Sequence, residues 1–197
     1  RGRLAVLDLP TARPRPAVHG FAEARHRFVW AAPLAAAVRA LAARENSEPR
    51  VVALAALQVI LHRYARQEEI VVGLSLPGRR EPGLERLVGP VANLAVLRNQ
   101  LGGNPDFRTL LADVTRTVQD AGEHDALPYE ALIAALKPAR DFSRAGHFDV
   151  LFHYDDTPPA ALDFGAGGSV QVIDLNLVYG NYGLDLALHA DADGGLI

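Results

Sequence analysis

Cysteine and methionine are both absent from this sequence of 197 residues. The lack of cysteine excludes disulfide bonds, thiolate metal sites and a cysteine nucleophile. Because methionine is missing even at position 1 and no signal peptide is visible, we interpret the chain as an excised or proteolysed fragment of a cytoplasmic protein. The longest apolar stretch, residues 51–61, has only about half of the roughly 20 residues that a membrane span needs. It therefore predicts a buried core helix.

A concentration of positive charge is missing as well. The formal net charge is −3, Lys137 is the only lysine, and the arginines are scattered among acidic residues. This pattern argues against a surface for nucleic acid or anionic membranes, which needs a basic patch or stripe. The composition, with 49% apolar and 22% charged residues, is typical of a globular domain or of one lobe of a larger enzyme.

The first half of the chain alternates between helical and strand patterns. Residues 9–18 contain three prolines, which predict an extended linker on a surface. A short strand at residues 26–30 precedes two predicted helices, one from Pro33 to about residue 41 and one from about residue 47 to 66. The continuous apolar run at residues 70–76 predicts a strand that is covered on both faces.

A further strand at residues 92–98 is followed by two more predicted helices. Asn104 and Pro105 are predicted as the cap and the first residue of a helix whose apolar stripe reaches Val118. Pro128 opens the next helix. Its inward side chains are predicted to be Tyr129, Leu132, Ile133 and Leu136.

From residue 147 the hydrophobic pattern changes to a period of two, which predicts a strand. One predicted face carries Phe148, Val150, Phe152 and Tyr154, and the other carries His147, Asp149, Leu151, His153 and Asp155. Further strands are predicted at residues 170–178 and 184–190. Helices and strands alternate in the first part of the chain, and strands predominate in the last part. This order predicts an α/β fold with a mixed, mainly β sheet and packed helices.

Four motifs occur in order between residues 54 and 150. They are a helix, strand and Gly-Arg loop at residues 54–80, LVGPVANL with a following arginine at 87–98, HDALPYE at 124–130, and RDFSR leading into FDV at 140–150. An opening LPTARP segment at residues 9–14 and the late Asp185 extend the same pattern. In this order and spacing they resemble the C-terminal half of a nonribosomal peptide synthetase condensation domain.

The resemblance implies one lobe of a two-lobed, chloramphenicol acetyltransferase-like fold with a tunnel between the lobes. It implies that residues 1–25 are an extended inter-lobe linker and that residues 26–197 are the C-terminal lobe. The implied reaction is amide formation between substrates held on the phosphopantetheine arms of carrier domains, with no cofactor or metal bound by this chain. The implied partners are the N-terminal lobe and peptidyl carrier domains, and the isolated lobe is expected to form a homodimer through its uncovered apolar surface.

Asn93 and Arg98 are the side chains that the resemblance places along the tunnel. The Asn93 amide can donate to a carbonyl and accept from an amine, and the alternative is an asparagine that satisfies backbone groups at the start of a strand. The alternative for Arg98 is a structural ion pair. A structural role is expected for the remaining motif residues, which are His124, Pro128, Glu130, Arg140, Asp141 and Arg144.

The catalytic H-H-x-x-x-D-G motif of the family does not occur in this sequence. The seven histidines include no adjacent pair, so the chain alone is predicted to be inactive in amide formation. Departures from the family pattern, such as Pro90, Ala92 and Leu94 around Asn93, support an alternative: a non-catalytic platform that recruits a tailoring enzyme or a carrier domain. An epimerisation domain is a further relative within the fold.

Three other chemistries are weaker interpretations of the sequence. His147, Asp149, His153 and Asp155 share one predicted strand face, but steps of about 6 to 7 Å per two residues prevent all four from reaching one ion. The segment from Gly73 to Pro77 lacks the final glycine of a serine hydrolase elbow. The glycines at 165–168 have no lysine or following helix, which argues against a phosphate-binding loop.

Overall fold

The computed structural model describes residues 6–20, 23–78, 83, 87–89, 91–137, 141–144, 148–155, 157, 180–190 and 194–197. In chain order its elements are α1 (Ala32–Arg44), α2 (Pro49–Ala65), β1 (Glu69–Leu76), β2 (Asn93–Gln100), α3 (Phe107–Glu123), α4 (Tyr129–Leu136), β3 (Val150–Asp155) and β4 (Leu184–His189). The predicted strand at residues 170–178 and the glycines at 165–168 lie outside the described residues.

The four strands form one mixed sheet in the order β2-β1-β3-β4. β1 pairs antiparallel with β2, whereas β3 pairs parallel with both β1 and β4. The predicted mixed α/β fold is confirmed. Because β1, β3 and β4 run in the same direction, their first residues lie at one edge of the sheet, called the amino edge below, and their last residues lie at the opposite carboxyl edge.

The helices α1, α2 and α3 lie on one side of the sheet, over the face called the helix face below. Its core includes Ile70, Val72 and Leu74 of β1 and Phe152 of β3, all fully buried. α2 begins with Pro49 in its first turn and is buried on several sides, because α1 and α3 flank it and the sheet lies beneath it. The predicted core helix is confirmed. No helix in the described ranges is long and apolar enough to span a bilayer.

A buried polar pair joins α2 to the sheet. The Gln58 side chain, fully buried, donates to Oδ1 of Asn99 on β2 at 3.0 Å. The Asn99 amide in turn donates to the Thr117 hydroxyl of α3 at 2.9 Å. These hydrogen bonds therefore offset part of the desolvation cost of burying Gln58 and Asn99 in an otherwise apolar core.

Three predictions at the ends of elements are wrong. The predicted strand at residues 26–30 reduces to a single antiparallel bridge between Trp30 and Leu196, because α1 begins two residues later. The predicted cap Asn104 has a left-handed backbone with φ of 53°, and Asp106 caps α3 instead by accepting from the Thr109 N–H at 2.8 Å. Leu136 is 58% exposed, because it lies in the last turn of a helix of only two turns.

The predicted alternation through β3 holds from Val150 onward but fails before it. Phe148 precedes the strand and packs with Val71 and Leu151 on the face opposite to Val150 and Phe152. Asp149 and Leu151 of the predicted polar face are also almost fully buried, and His147 lies outside the described residues. Only His153 and Asp155, toward the end of the strand, are partly or fully accessible as predicted.

Candidate functional site

The face of the sheet opposite to the helix face, called the second face below, carries the candidate site. Strand alternation and the pairing registers place on it the odd-numbered residues of β1, β3 and β4 and the even-numbered residues of β2. Toward the carboxyl edge this face carries the polar side chains of Ser75, His153, Asp155 and His189 next to the apolar side chains of Leu94 and Ala187.

Three aromatic rings cover the middle of the second face, above Gly73 of β1. Phe148 stacks on Tyr182 with ring centroids 4.9 Å apart and planes 6° apart, and it meets Tyr129 edge-on at 5.8 Å. Gly73 leaves the space that Phe148 fills. Burial, followed by the charges of Asp185 and Glu130, raises the pKa of the Tyr182 hydroxyl. The Tyr182 hydroxyl therefore keeps its proton, and the cluster forms an apolar boundary beside the polar side chains of this face.

A cavity of about 690 Å³ opens at the carboxyl edge. This volume lies within the range of roughly 300 to 1,000 Å³ that is usual for small-molecule sites. The start of α2 supplies one side of the cavity, where the Arg50 Nε lies 2.6 Å from a Glu48 carboxylate oxygen. The other lining residues come from the ends of the strands and the residues next to them, and include Ser75, Ala92, His153, Tyr154, Asp155, Thr157 and His189.

His153 and Asp185 form an imidazole–carboxylate pair next to this cavity. The His153 Nε2 lies 3.6 Å from Oδ1 of Asp185, which is an electrostatic contact rather than a hydrogen bond. Partial burial raises the pKa of Asp185, the nearby positive charge of His153 opposes this, and Glu23 adds to it. The imidazole and the carboxylate are both titratable groups on the second face. Proton transfer by a side chain requires such a group.

Replacing Asp185 by Asn is expected to make stability less dependent on pH. A raised carboxyl pKa means that the folded chain binds the proton more tightly than the unfolded chain, so stability is lost as pH rises from about 3.8 through the folded pKa. We expect the melting temperature of Asp185→Asn to exceed that of the native chain increasingly as pH rises above about 3.8. The gain should be modest, because the Asp185 side chain is 45% exposed. A difference that is the same at every pH would contradict this.

Asn93 begins β2, and its side chain uses all of its hydrogen-bonding capacity on backbone groups. The amide nitrogen donates to the carbonyls of Asp125 and Leu127 at 2.9 and 2.8 Å. The amide oxygen accepts from the N–H groups of Leu94 and Tyr129 at 2.8 and 3.0 Å. Two donors and two acceptor positions are the full inventory of an asparagine side chain. In this arrangement Asn93 joins β2 to the turn before α4.

Asn93→Ala is therefore expected to destabilise the chain. The substitution leaves two carbonyls and two N–H groups without their side-chain partner, at a cost on the order of 1 to 3 kcal/mol after partial compensation by water. Urea unfolding followed by circular dichroism measures this directly. The matched control is Gln119→Ala at an exposed position of α3, which should change stability by less than about 0.5 kcal/mol. Equal stability of both variants would show that water replaces the Asn93 bonds at no cost.

Arg98 lies far from Asn93, at the other end of the same strand. Its guanidinium forms an ion pair with Glu69 at the amino edge, and the Gln100 amide donates to the same carboxylate at 2.9 Å. The structure therefore does not bring together the two residues that the sequence assigned to the tunnel. A tunnel-lining role for either residue stays a prediction.

The remaining motif residues lie at two corners. The His124 Nδ1 contacts the Asp120 carbonyl oxygen at 2.8 Å, Pro128 is the N-cap of α4, and Glu130 lies in the first turn of that helix. At the second corner, the Arg144 Nε lies 3.2 Å from Oδ2 of Asp141. Hydrogen bonds from the hydroxyl and N–H of Ser143 lower the pKa of Asp141. Arg140 lies outside the described residues.

The structure also separates the residues of the metal-site interpretation. Asp149, only 4% exposed, forms ion pairs with Arg15 and Arg144 instead of facing His153. Within the described ranges, no three His, Asp or Glu side chains are placed to hold one metal ion. His147 is outside those ranges. Sequence analysis missed Arg50 and His189 as cavity residues, because their approach depends on which strand ends and helix starts meet in space.

Comparison with known proteins agrees with this architecture. A family model described as the condensation domain matches residues 1–191. Tyrocidine synthase 3 of Brevibacillus parabrevis is 38% identical over 151 residues, which is 77% of this chain and 2% of that protein. Malpinin synthetase of Mortierella alpina is 31% identical over 193 residues, which is 98% of this chain and 2% of that protein. The chain thus spans a small part of the relatives that it matches.

Two solved structures share the fold over nearly the whole chain. The complex of the X-domain and OxyB from teicoplanin biosynthesis matches with a TM-score of 0.82 and 22% identity, covering 97% of this chain and 42% of that one. The first condensation domain of the calcium-dependent antibiotic synthetase, in complex with a substrate analogue, matches with a TM-score of 0.67 and 16% identity, covering 93% and 42%.

The mixed sheet with its packed helices, together with these neighbours, shows the chloramphenicol acetyltransferase-like fold. Within this fold, the chain belongs to the condensation-domain family of nonribosomal peptide synthetases.

Proposed function

We propose that this chain is the C-terminal lobe of a condensation domain and that its second face forms one wall of the space in which an amide bond is made. The observation that carries the proposal is the contrast between the two faces of the sheet. In the described ranges, α2 and α3 pack against the helix face, whereas the second face has an aromatic cluster and an accessible polar end beside a cavity. A second wall from an N-terminal lobe would enclose this polar end.

The proposed reaction joins an acyl thioester and an amine, each carried on the phosphopantetheine arm of a carrier domain. The amine nitrogen attacks the thioester carbonyl, the carbon–nitrogen bond forms, the carbon–sulfur bond breaks, and one proton passes from nitrogen to the departing thiolate. Such a step needs correct positioning of both substrates and a group that handles the proton. On this chain, the second face presents His153 beside Asp185.

The experiment that tests this function uses the complete parent domain and two carrier domains, one loaded with an acyl group and one with an amino acid. Mass spectrometry should detect the amide on the acceptor carrier. His153→Ala should lower the initial rate, whereas Ile60→Ala, at an exposed position of α2 on the far side of the sheet, should leave it unchanged. Absence of amide with verified loading of both carriers would overturn a catalytic role.

The second candidate function is a recruitment platform for a tailoring enzyme or carrier domain. The contacts of Asn93 favour it. All four side-chain hydrogen bonds of Asn93 go to backbone groups, so its amide is already used in holding the structure. The complete parent would then form a stable complex with its partner in sedimentation experiments and produce no amide. Amide formation without such a complex would contradict the platform.

Self-association of the isolated chain follows from the same proposal. A lobe that normally packs against another leaves apolar surface uncovered, and a two-fold dimer is the simplest way to cover it. We expect sedimentation velocity at micromolar concentration to give a dimer that dissociates when the N-terminal lobe is added. A monomer that does not bind the N-terminal lobe would indicate a self-contained domain.

A further inference from the structure

The proline-containing segment at residues 6–20, called the strap below, is attached to the sheet at two separate places. At its beginning, Leu7 is buried, the Asp8 N–H donates to Oε1 of Gln67 at 2.8 Å, and the Gln67 amide donates to the Val6 carbonyl at 2.9 Å. Gln67 lies just before β1. The strap therefore starts at the amino edge of the sheet.

The other end of the strap is attached just before β3 and β4. Arg15 forms an ion pair with Asp149 at 3.3 Å. His19 donates its backbone N–H to the Phe142 carbonyl at 2.8 Å, and its Nε2 lies 3.0 Å from the Gly180 carbonyl oxygen. The strap thus follows the amino edge across the sheet, opposite to the edge with the cavity.

Asp149 is the centre of this second attachment. Its carboxylate, 4% exposed, pairs with both Arg15 and Arg144, and the Arg144 side chain is only 15% exposed. Burial and then the positive charge of Arg15 lower the pKa of Arg144, and Asp141 opposes this. The two guanidinium groups therefore repel each other, and the Asp149 carboxylate between them offsets the repulsion.

The position of Asp149 also connects the strap to the second face. Asp149 follows Phe148, which stacks on Tyr182 and fills the space above Gly73. The Asp149 carbonyl accepts from the Leu184 N–H at 3.0 Å, at the start of β4. A change in the Asp149 side chain therefore acts on the strap and on the aromatic cluster together.

We propose that Asp149 is a positioning residue whose carboxylate, shared by Arg15 and Arg144, holds the strap on the amino edge of the sheet and fixes the aromatic cluster of the second face. When the carboxylate is removed, the two guanidinium groups lose their shared counter-charge and the strap separates locally while the core stays folded. If the proposed function holds, the strap is the connection toward the N-terminal lobe. The clasp formed by Arg15, Asp149 and Arg144 then sets where that connection meets the sheet.

Hydrogen exchange of the chain itself tests the proposal without any measurement of activity. In Asp149→Asn, exchange of the His19 amide should increase at least about tenfold, while amides of the buried strand β1 should exchange as in the native chain. Asp113→Asn, which removes an exposed carboxylate paired with Arg116, is the matched control and should leave His19 unchanged. Unchanged His19 protection in Asp149→Asn would overturn the proposal, as would equal acceleration of His19 and β1.

A second variant keeps the test decisive if Asp149→Asn does not fold. Arg15→Gln leaves the pair of Asp149 and Arg144 in place and removes only the contact from the strap. It should accelerate His19 exchange to a similar degree and leave β1 protected. Adding Asp149→Asn to Arg15→Gln should produce little further acceleration, because the two changes remove the same attachment. Native protection of His19 in Arg15→Gln would show that backbone hydrogen bonds alone hold the strap.

Discussion

Mixed with two loaded carrier domains, this 197-residue chain alone is expected to form no amide above background. It presents one wall of the proposed reaction space, and its sequence has no adjacent histidines for proton transfer. Loss of a positioned proton acceptor costs about 10²- to 10⁴-fold in rate, and loss of substrate alignment costs several further orders of magnitude. Mass spectrometry of the acceptor carrier measures the outcome, with the complete parent domain as the positive control.

Product from the isolated chain above the rate of carriers alone would contradict this expectation. Such a result would mean that His153, His189 or another side chain of the second face supports the chemistry without a second lobe. In that case His153→Ala and His189→Ala would identify the responsible imidazole. The result would also remove the reason for assigning catalysis to residues outside this chain.

The substitution with the largest expected effect on folding is Gly73→Val. A Cβ atom at position 73 would lie 2.2 Å from Cε2 of Phe148, far inside van der Waals contact. Phe148 must then leave its place and lose its stacking on Tyr182 and its edge contact with Tyr129. Overpacking combined with the loss of these ring contacts should lower the unfolding free energy by about 3 kcal/mol.

Urea unfolding of Gly73→Val measures this loss, and two further variants make it specific. Gly20→Ala is the control, because no atom lies within 4 Å of a Cβ added there, and it should leave stability nearly unchanged. Gly73→Ala combined with Phe148→Leu should be more stable than the sum of the single effects, since the smaller side chain makes room for the new methyl group. If the stability changes of Gly73→Ala and Phe148→Leu simply add, Phe148 does not limit the size of the side chain that position 73 accepts.

The elements with a strong hydrophobic pattern were predictable from the sequence. The apolar run of α2, interrupted only by Gln58, predicted an enclosed helix, and the continuous apolar strand at residues 70–76 predicted burial on both faces, as observed for β1. Both predictions depend on local composition alone. The position of Phe148 could not be predicted in this way, because the point at which β3 begins depends on its parallel pairing with a strand more than 70 residues away.

The candidate site was only partly predictable. The motif pattern identified Asn93 and the corner at residues 124–130, but it gave no sign that the Asn93 amide binds the backbone of that same corner. The strap was predicted as a surface linker from its prolines. Its attachment through Arg15 to Asp149 joins residues 134 positions apart, and a scattered arginine and aspartate carry no local signal of such a pair. Long-range ion pairs of this kind require the fold.

The most direct test of the central claim is to find which face of the sheet meets the tethered substrate. The chain has no cysteine, so Ala187→Cys on the second face and Ile60→Cys on the outer surface of α2 each introduce a single thiol into it. Both variants of the complete parent domain would be incubated with a carrier domain whose pantetheine arm ends in a bromoacetyl group, and mass spectrometry would identify the modified cysteine. We expect the arm to alkylate Cys at position 187 and not at position 60. Equal modification of both, or modification at position 60 alone, would contradict the assignment of the second face as the wall of the reaction space.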